Sequence, residues 1–319
     1  MKPLVKRSLF RRSVVSIRDK SRIIYGGNTL SFRIATRKSK LALVQTDYVI
    51  DLLALKFKMQ CEKVLIRTEG DRKLDVSLDK IGGKGVFVKD IEKALIEKRA
   101  QAAVHSMKDM PNELLDLFEI IAMPVREDVR DVFISPEGIK FLDLPKGAVI
   151  GTSSIRRAVQ IKNLRHDIEI VPIRGNIETR VRKMKEEKLD GIVLAAAGVK
   201  RLGMSEIITE YFNPFEFIPA VGQGAIGVEI LKNSEYASTL GKIDNEDIRM
   251  GVEAERSFLK KLQGDCHTPV GAYSVIEGEI LNITGIFQVG NKLIKKDVCG
   301  DKWDYIALGE SLGEKIISG

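Results

Sequence analysis

From residue 32 onward the chain alternates between two hydrophobic rhythms, a period of two over short runs and a three-to-four spacing over longer ones. FRIAT reads as a strand, and Ser39 follows it as the cap of a helix whose apolar positions run Leu41, Val44, Tyr48, Leu52 and Leu55. EKVLIR predicts a second strand. GGKGVFVKDIEKALIEK opens as a glycine-rich turn and continues as a helix, with Phe87, Ile91 and Leu95 stacked at four-residue spacing. QAAVH, EIIAM and DVFIS predict further short strands.

The scheme then restarts. AVIGTSS predicts a strand and turn, IRRAVQIKNLR a helix, IEIVPIRG a strand, NIETRVRKMKEEK a helix and DGIVLAAAG a strand. This order argues for parallel-rich α/β units. RIATRKSK and VIGTSSIRR echo each other, each a strand running into a Thr/Ser turn with arginine just ahead of a helix. Two lobes of similar build with a cleft between them are expected. Past about residue 242 the character changes. EDIRMGVEAERSFLKKLQ predicts a helix capped by Asn245, acidic early and basic late, with Gly264 as its stop. AYSVIEGEILNITGIFQVGNKLIKKDV then reads as hairpin strands, and a short helix closes a smaller α+β domain.

Composition narrows the partners. The 319 residues carry a net charge of +8, which favours anionic ligands. Aromatics are 6% and no basic run is interleaved with them, so nucleic acid is not expected as a partner. No apolar run reaches the length of a membrane span, and no membrane association is expected. Cys61, Cys266 and Cys299 are widely spaced with no CxxC pair, which argues against a disulfide framework or a metal site and for a reducing compartment. Residues 1–30 are basic and serine-containing without the apolar core of a secretory signal. A loosely ordered extension on a cytoplasmic protein is the expectation, with an organelle transit peptide as the alternative.

Strand ends that run into helix N-termini favour anions through free N–H groups and the helix dipole. Around such ends stand Arg33, Arg37, Ser39, Thr152, Ser153, Ser154, Arg156, Arg157, Arg174 and Arg180. IGGKGVF lacks the spacing of a phosphate loop and reads as a mobile loop offering Lys80 and Lys84 to an anion. In AVHSMKDMP an apolar strand ends in His105 and Ser106, followed by Lys108 and Asp109. A carboxylate at that edge is a candidate acid/base group or cation stabiliser. Cys266 follows a helix C-terminus and sits beside Asp265, both unfavourable to a thiolate, so by local physics it is an unactivated loop thiol.

Taken together, RIATRKSKLALVQ, KIGGKGVFVKDIE, AVHSMKDMP, GTSSIRRAVQ, RGNIETR, AAAGVKRLG, PAVGQGAIGVE and GDCHTPVGAY closely resemble the porphobilinogen deaminase (hydroxymethylbilane synthase) family, in the family's order from about residue 32 to 275. The resemblance implies three domains, two of them built like the lobes of periplasmic anion-binding proteins. The corresponding limits are 31–124 with 225–241, then 125–224, then 242–319, after the extension at 1–30. It implies an enzyme, a transferase that joins four porphobilinogen molecules head to tail with loss of ammonia. Cys266 matches the cysteine that carries a dipyrromethane cofactor by a thioether, and Asp109 the catalytic aspartate. Cofactor contacts are implied at Asp71, Ser106, Lys108, Thr152, Ser154, Arg156, Arg157 and Arg180. Substrate contacts are implied at Arg37, Ser39, Lys80, Lys84 and Arg174, with no metal. The family leans monomeric. Many members have glycine where Asp265 stands.

Overall fold

The structure, a computed structural model, describes residues 31–68, 88–264, 268–290 and 292–318. The expectations placed on Asp71, Lys80, Lys84, Phe87, Asp265 and Cys266 lie outside these residues.

In chain order the first elements are β1 (Phe32–Arg37), α1 (Lys40–Phe57), β2 (Cys61–Ile66), α2 (Lys89–Ile96), β3 (Ala102–Ser106) and β4 (Phe118–Ala122). The second set is β5 (Asp131–Ile134), β6 (Val149–Gly151), α3 (Ile155–Leu164), β7 (Glu169–Val171), α4 (Ile177–Glu186), β8 (Gly191–Ala195), α5 (Ala196–Arg201) and β9 (Glu210–Tyr211). β10 (Ile226–Leu231) and α6 (Ala237–Leu240) follow. The last set is α7 (Glu246–Lys261), β11 (Val270–Glu277), β12 (Ile280–Val289), β13 (Lys292–Asp301) and α8 (Tyr305–Ile317).

Three sheets result. The first has the order β2-β1-β3-β10-β4 and the second β7-β6-β8-β5-β9. In each, the first three strands run parallel and one strand runs against them. That opposed strand, β10 or β5, is the one that arrives directly from the other sheet. β1 and β6 occupy equivalent central places, so the echo between RIATRKSK and VIGTSSIRR is a repeated strand-to-helix corner. The third sheet is an antiparallel meander of β11, β12 and β13. Phe258 of α7 and Leu308, Leu312 and Ile316 of α8 pack on its apolar face with Ala272, Leu281 and Ile283. The fold is therefore α/β in two lobes with a smaller α+β domain.

The two crossovers run side by side. Arg126 and Ala225 form an isolated antiparallel bridge, and Glu127 N–H donates to Gly224 C=O at 3.0 Å. Gly224 has φ +87°, and a Cβ there would lie 2.2 Å from the Glu127 carbonyl oxygen, so only glycine fits.

Caps fall where the sequence places them. Ser39 Oγ accepts from Ala42 N–H at 3.3 Å, and Asn245 Oδ1 from Ile248 N–H at 3.1 Å. Three details differ from expectation. α1 buries Gln45, Thr46, Val49 and Leu53, while Tyr48 is 42% and Leu55 73% exposed. The segment has apolar residues all round, so periodicity alone does not choose the face; the Thr46–Thr36 hydroxyl bond at 2.7 Å helps hold the observed one. The predicted strand DGIVLAAAG stops at Ala195, and Ala196 opens α5. At the end of α7 the left-handed residue is Gln263, at φ +51°, with Gly264 N–H bonded to Leu259 C=O.

Candidate active site

Two strand ends and one turn build the site. β3 ends at Ser106 and passes into the short helical turn Met107–Asp109, which leaves Asp109 exposed and Lys108 half-buried. A cavity at this edge is lined by Arg37, Ser39, Gln45, His105, Ser106 and Asp109. Gln45 donates to Ser106 Oγ at 2.8 Å and fixes that hydroxyl against α1.

The second lobe contributes Arg156, Arg157, Arg174 and Arg180. Ser154 caps α3 by accepting from Arg157 N–H at 3.4 Å, and Thr152 Oγ1 accepts from Ser154 N–H at 3.2 Å. Both side chains thus shape the helix entry. Asn176 caps α4 through Thr179 N–H at 2.8 Å, and Arg180 Nε donates to Gly175 C=O at 2.8 Å.

Arg156 and Arg157 are only 5% and 7% exposed, and both are committed to Asp131. Arg157 reaches Asp131 Oδ1 through Nη2 at 2.7 Å and Nε at 3.2 Å, while Arg156 Nη1 lies 2.8 Å from Oδ2. Arg156 Nη1 also donates to Ile218 C=O at 2.5 Å, and Arg157 Nη1 to Val193 C=O at 3.0 Å. Burial alone would push the Asp131 carboxyl up, yet Arg156 and Arg157 hold it well below the usual carboxylate range. Burial lowers the Arg156 guanidinium, with Asp131 opposing.

Sequence reasoning missed Asp131. The residue opens a strand read only for its apolar pattern, and its partners lie 25 and 26 positions away. Gln223, noted in the sequence only as flanked by glycines, donates to Asp131 Oδ1 at 3.0 Å and to Val129 C=O at 2.7 Å. Its backbone carbonyl accepts from Arg126 Nε at 3.1 Å, and Arg126 pairs with the buried Glu255 of α7 at 2.8 Å. Glu255 in turn accepts from Gly222 N–H at 2.8 Å and Ser274 N–H at 2.9 Å. A continuous polar chain therefore links the third domain, through the crossover, to the arginine pair.

Lys108, Arg156, Arg157, Arg174 and Arg180 act on one another across this cleft, with Asp109 and Asp131 among them. Burial pushes the Lys108 ammonium down to about 8, with Asp109 opposing and Arg157 adding to the fall. Arg180 is brought down to about 10 by burial, then by repulsion from Arg157 and Arg174, against Asp109. Among the described residues, these five cations against two carboxylates form a site that an anion relieves. Such a donor set fits a ligand with several carboxylates, and hence a dipyrromethane bearing acetate and propionate arms.

One expected contact lies elsewhere. Arg33 stands at the opposite end of β1, where Nη2 donates to Lys98 C=O at 2.9 Å, because a strand sends only its C-terminal end to the cleft. Ser153 is exposed and donates to Ile173 C=O at 2.9 Å. Arg37, Ser39, Ser106, Lys108, Asp109, Thr152, Ser154, Arg156, Arg157, Arg174 and Arg180 all belong to the two facing edges.

Fold and site together define a two-lobed α/β protein whose cationic cleft includes the exposed carboxylate of Asp109. The first family model that matches is that of the porphobilinogen deaminase dipyromethane cofactor binding domain, over residues 32–239. The porphobilinogen deaminase C-terminal domain matches residues 250–318. The chain belongs to the porphobilinogen deaminase family. Porphobilinogen deaminase of Clostridium beijerinckii is 59% identical over 284 residues, 89% of this chain and 98% of the relative. That of Clostridium acetobutylicum is 57% identical over 288 residues, 90% and 99% respectively. Among solved structures, a periplasmic substrate-binding protein of an ABC transporter from Coxiella burnetii matches 66% of this chain and 91% of its own with a TM-score of 0.42 at 10% identity. Among the described residues no helix is long and apolar enough to cross a membrane.

Proposed function

We propose that this chain condenses four porphobilinogen molecules head to tail into hydroxymethylbilane, with loss of ammonia, on a dipyrromethane primer bound through a thioether to Cys266. The observation that carries the residue-level reading is the cationic cluster around Asp109. When bound, the primer supplies a nucleophilic pyrrole carbon at which the chain grows.

Lys108, Arg156, Arg157 and Arg180, with the hydroxyls of Ser106, Thr152 and Ser154, hold carboxylate arms of the primer, and Asp71 stands near it. Arg37, Ser39 and Arg174, with Lys80 and Lys84, take the arms of the incoming substrate. Asp131 does not touch ligand in this reading. It keeps two guanidiniums charged and oriented inside the protein, and each retains further N–H groups. Loss of ammonia leaves an electron-poor pyrrole cation. Asp109, exposed at the end of β3, stabilises that cation and the pyrrole N–H and accepts the proton released on coupling.

Cys266 needs a single alkylation and then no thiolate, which suits a thiol that local electrostatics does not activate. The reading takes the protein as a monomer that binds no nucleic acid and works in the cytoplasm. It divides the chain into 31–124 with 225–241, 125–224 and 242–319.

Intact mass with and without alkylation tests it. A stable adduct of two pyrrole rings on Cys266 is expected, coloured by an acidic aldehyde reagent, and freely alkylating Cys266 in active protein would refute the primer. Asp109→Ala is expected to keep the adduct and lose turnover by about 100-fold or more, in line with removal of a positioned charge. Near-normal turnover would remove Asp109 from the mechanism.

A further inference from the structure

The segment that follows Asp109 lies along α7, the helix whose end leads to Cys266, and the mechanism leaves that contact unused. Val252, Arg256 and Lys260 stand at four-residue spacing on one face of α7, and Gly264 follows past its end. Each meets the segment. Val252 packs in one apolar cluster with Met107 and Met110, the buried side chains that flank Lys108 and Asp109. Arg256 Nη2 donates to Pro111 C=O at 2.8 Å and to Asn112 C=O at 2.9 Å. Lys260 pairs with Glu113 at 3.2 Å, both side chains being exposed. Asn112 Nδ2 donates to the C=O of the buried Gly264 at 2.7 Å.

The last bond joins two short leads. Asn112 comes three residues after Asp109, and Gly264 two residues before Cys266. On the first lead the chain has little slack. Met110 N–H is bonded to Met107 C=O at 3.2 Å, and the ring of Pro111 fixes its φ. At the other end Gly264 N–H returns to Leu259 C=O at 3.1 Å, which ties its residue to the last turn of α7. A carbonyl only accepts, so the Asn112 amide must present its NH2 group to Gly264 and its oxygen elsewhere. That Oδ1 is buried with no hydrogen-bond partner among the described residues. An unmatched buried acceptor costs stability, so what this amide contributes lies in the placement its donor fixes.

We infer that Asn112 is a positioning residue for the condensation: by donating to Gly264 C=O it fixes the spacing between the turn that carries Asp109 and the exit of α7 toward Cys266, and so the approach of the primer to the carboxylate; this rests on the roles of Asp109 and Cys266 given above. Asn112 touches no substrate in this role. Placement matters to rate, since a displacement of about 1 Å can cost on the order of 100-fold.

Asn112→Asp keeps the shape and turns an acceptor toward the Gly264 carbonyl, while Asn112→Ala removes the side chain. Either is expected to lower kcat by about tenfold or more, with KM within about twofold. Asn112→Gln keeps the donor on a longer arm and should recover part of kcat. Deuterium uptake of the peptide 259–264 reads the tether without turnover and should quicken by about fivefold in both variants. Lys260→Ala breaks only the exposed pair with Glu113 and should leave uptake and kcat at parent values. Unchanged uptake in Asn112→Asp overturns the tether. Faster uptake with unchanged kcat overturns the positioning role, and so does an equal fall of kcat in Lys260→Ala. If Asn112→Asp does not fold, Asn112→Ala carries the same comparison. Should intact mass find no adduct on Cys266 of the parent while uptake still responds to Asn112, the tether stands and the primer reading falls instead.

Discussion

Asp131→Asn keeps the shape of a fully buried side chain and removes the one charge that holds two buried guanidiniums. Three hydrogen bonds reach Asp131 Oδ1, two from Arg157 and one from Gln223, and Arg156 forms an ion pair at Oδ2. An amide in its place offers one acceptor oxygen and turns an NH2 group toward a cation. Removing one partner of a buried ion pair costs about 3–5 kcal/mol. In a chain of 319 residues that lowers the melting transition by about 4–8 °C. Circular dichroism melts at pH 7 and low ionic strength measure it, and added sulfate should recover part of the loss by supplying negative charge to the cleft. The pH dependence has a definite sign. The native carboxyl sits below its unfolded value of about 3.9, so its contribution is complete above that pH and lost as pH falls through the native value. Parent and variant should therefore converge only below about pH 4. A variant melting within about 1 °C of the parent at pH 7 would refute the clamp.

Other expectations follow from single contacts. A Cβ at Gly271 would lie 2.6 Å from Pro219 C=O and 3.0 Å from Arg156 Cδ, so Gly271→Ala should cost about 1–3 kcal/mol and lower the fraction of chain carrying the Cys266 adduct, read by melting and intact mass. Lys108, brought down to about 8, is charged below that pH and neutral above it. Binding of a tricarboxylate such as citrate should weaken as pH rises from 7 to 9, with proton uptake on binding near pH 8 by calorimetry in two buffers; pH-independent affinity would exclude Lys108 from the anion site. Lys40 of α1 and Glu178 of α4 pair across the lobes at 2.7 Å but are both exposed, so Lys40→Ala should change stability by less than about 1 kcal/mol in urea melts.

The strand-and-helix order was legible because each element carries its own period, and the caps at Ser39 and Asn245 mark helix starts by chemistry alone. What resisted reading was pairing at a distance. Nothing local to Asp131 announces Arg156, which reaches it from helix α3, and nothing local to Glu229 announces His105, which sheet register sets beside it. Arginines 156 and 157 looked like free cleft donors and are instead buried and partly satisfied. Arg33 looked like one of their set and stands at the wrong end of β1. The face of α1 was misread for another reason: apolar residues surround that helix, and the sheet it packs on makes the choice.

The placement of β10 sets an order on synthesis. β10 lies between β3 and β4 in the first sheet, yet it begins 120 residues after β3 ends. At about 5–20 residues per second a ribosome needs on the order of 6–24 s to deliver it. Until then β3 and β4 present unpaired inner edges, the kind that recruit foreign strands. The second sheet draws all its strands from one continuous stretch and can close first. The lobe that carries Asp109 is thus the earlier made and the later finished, and a chaperone has most to protect in that interval.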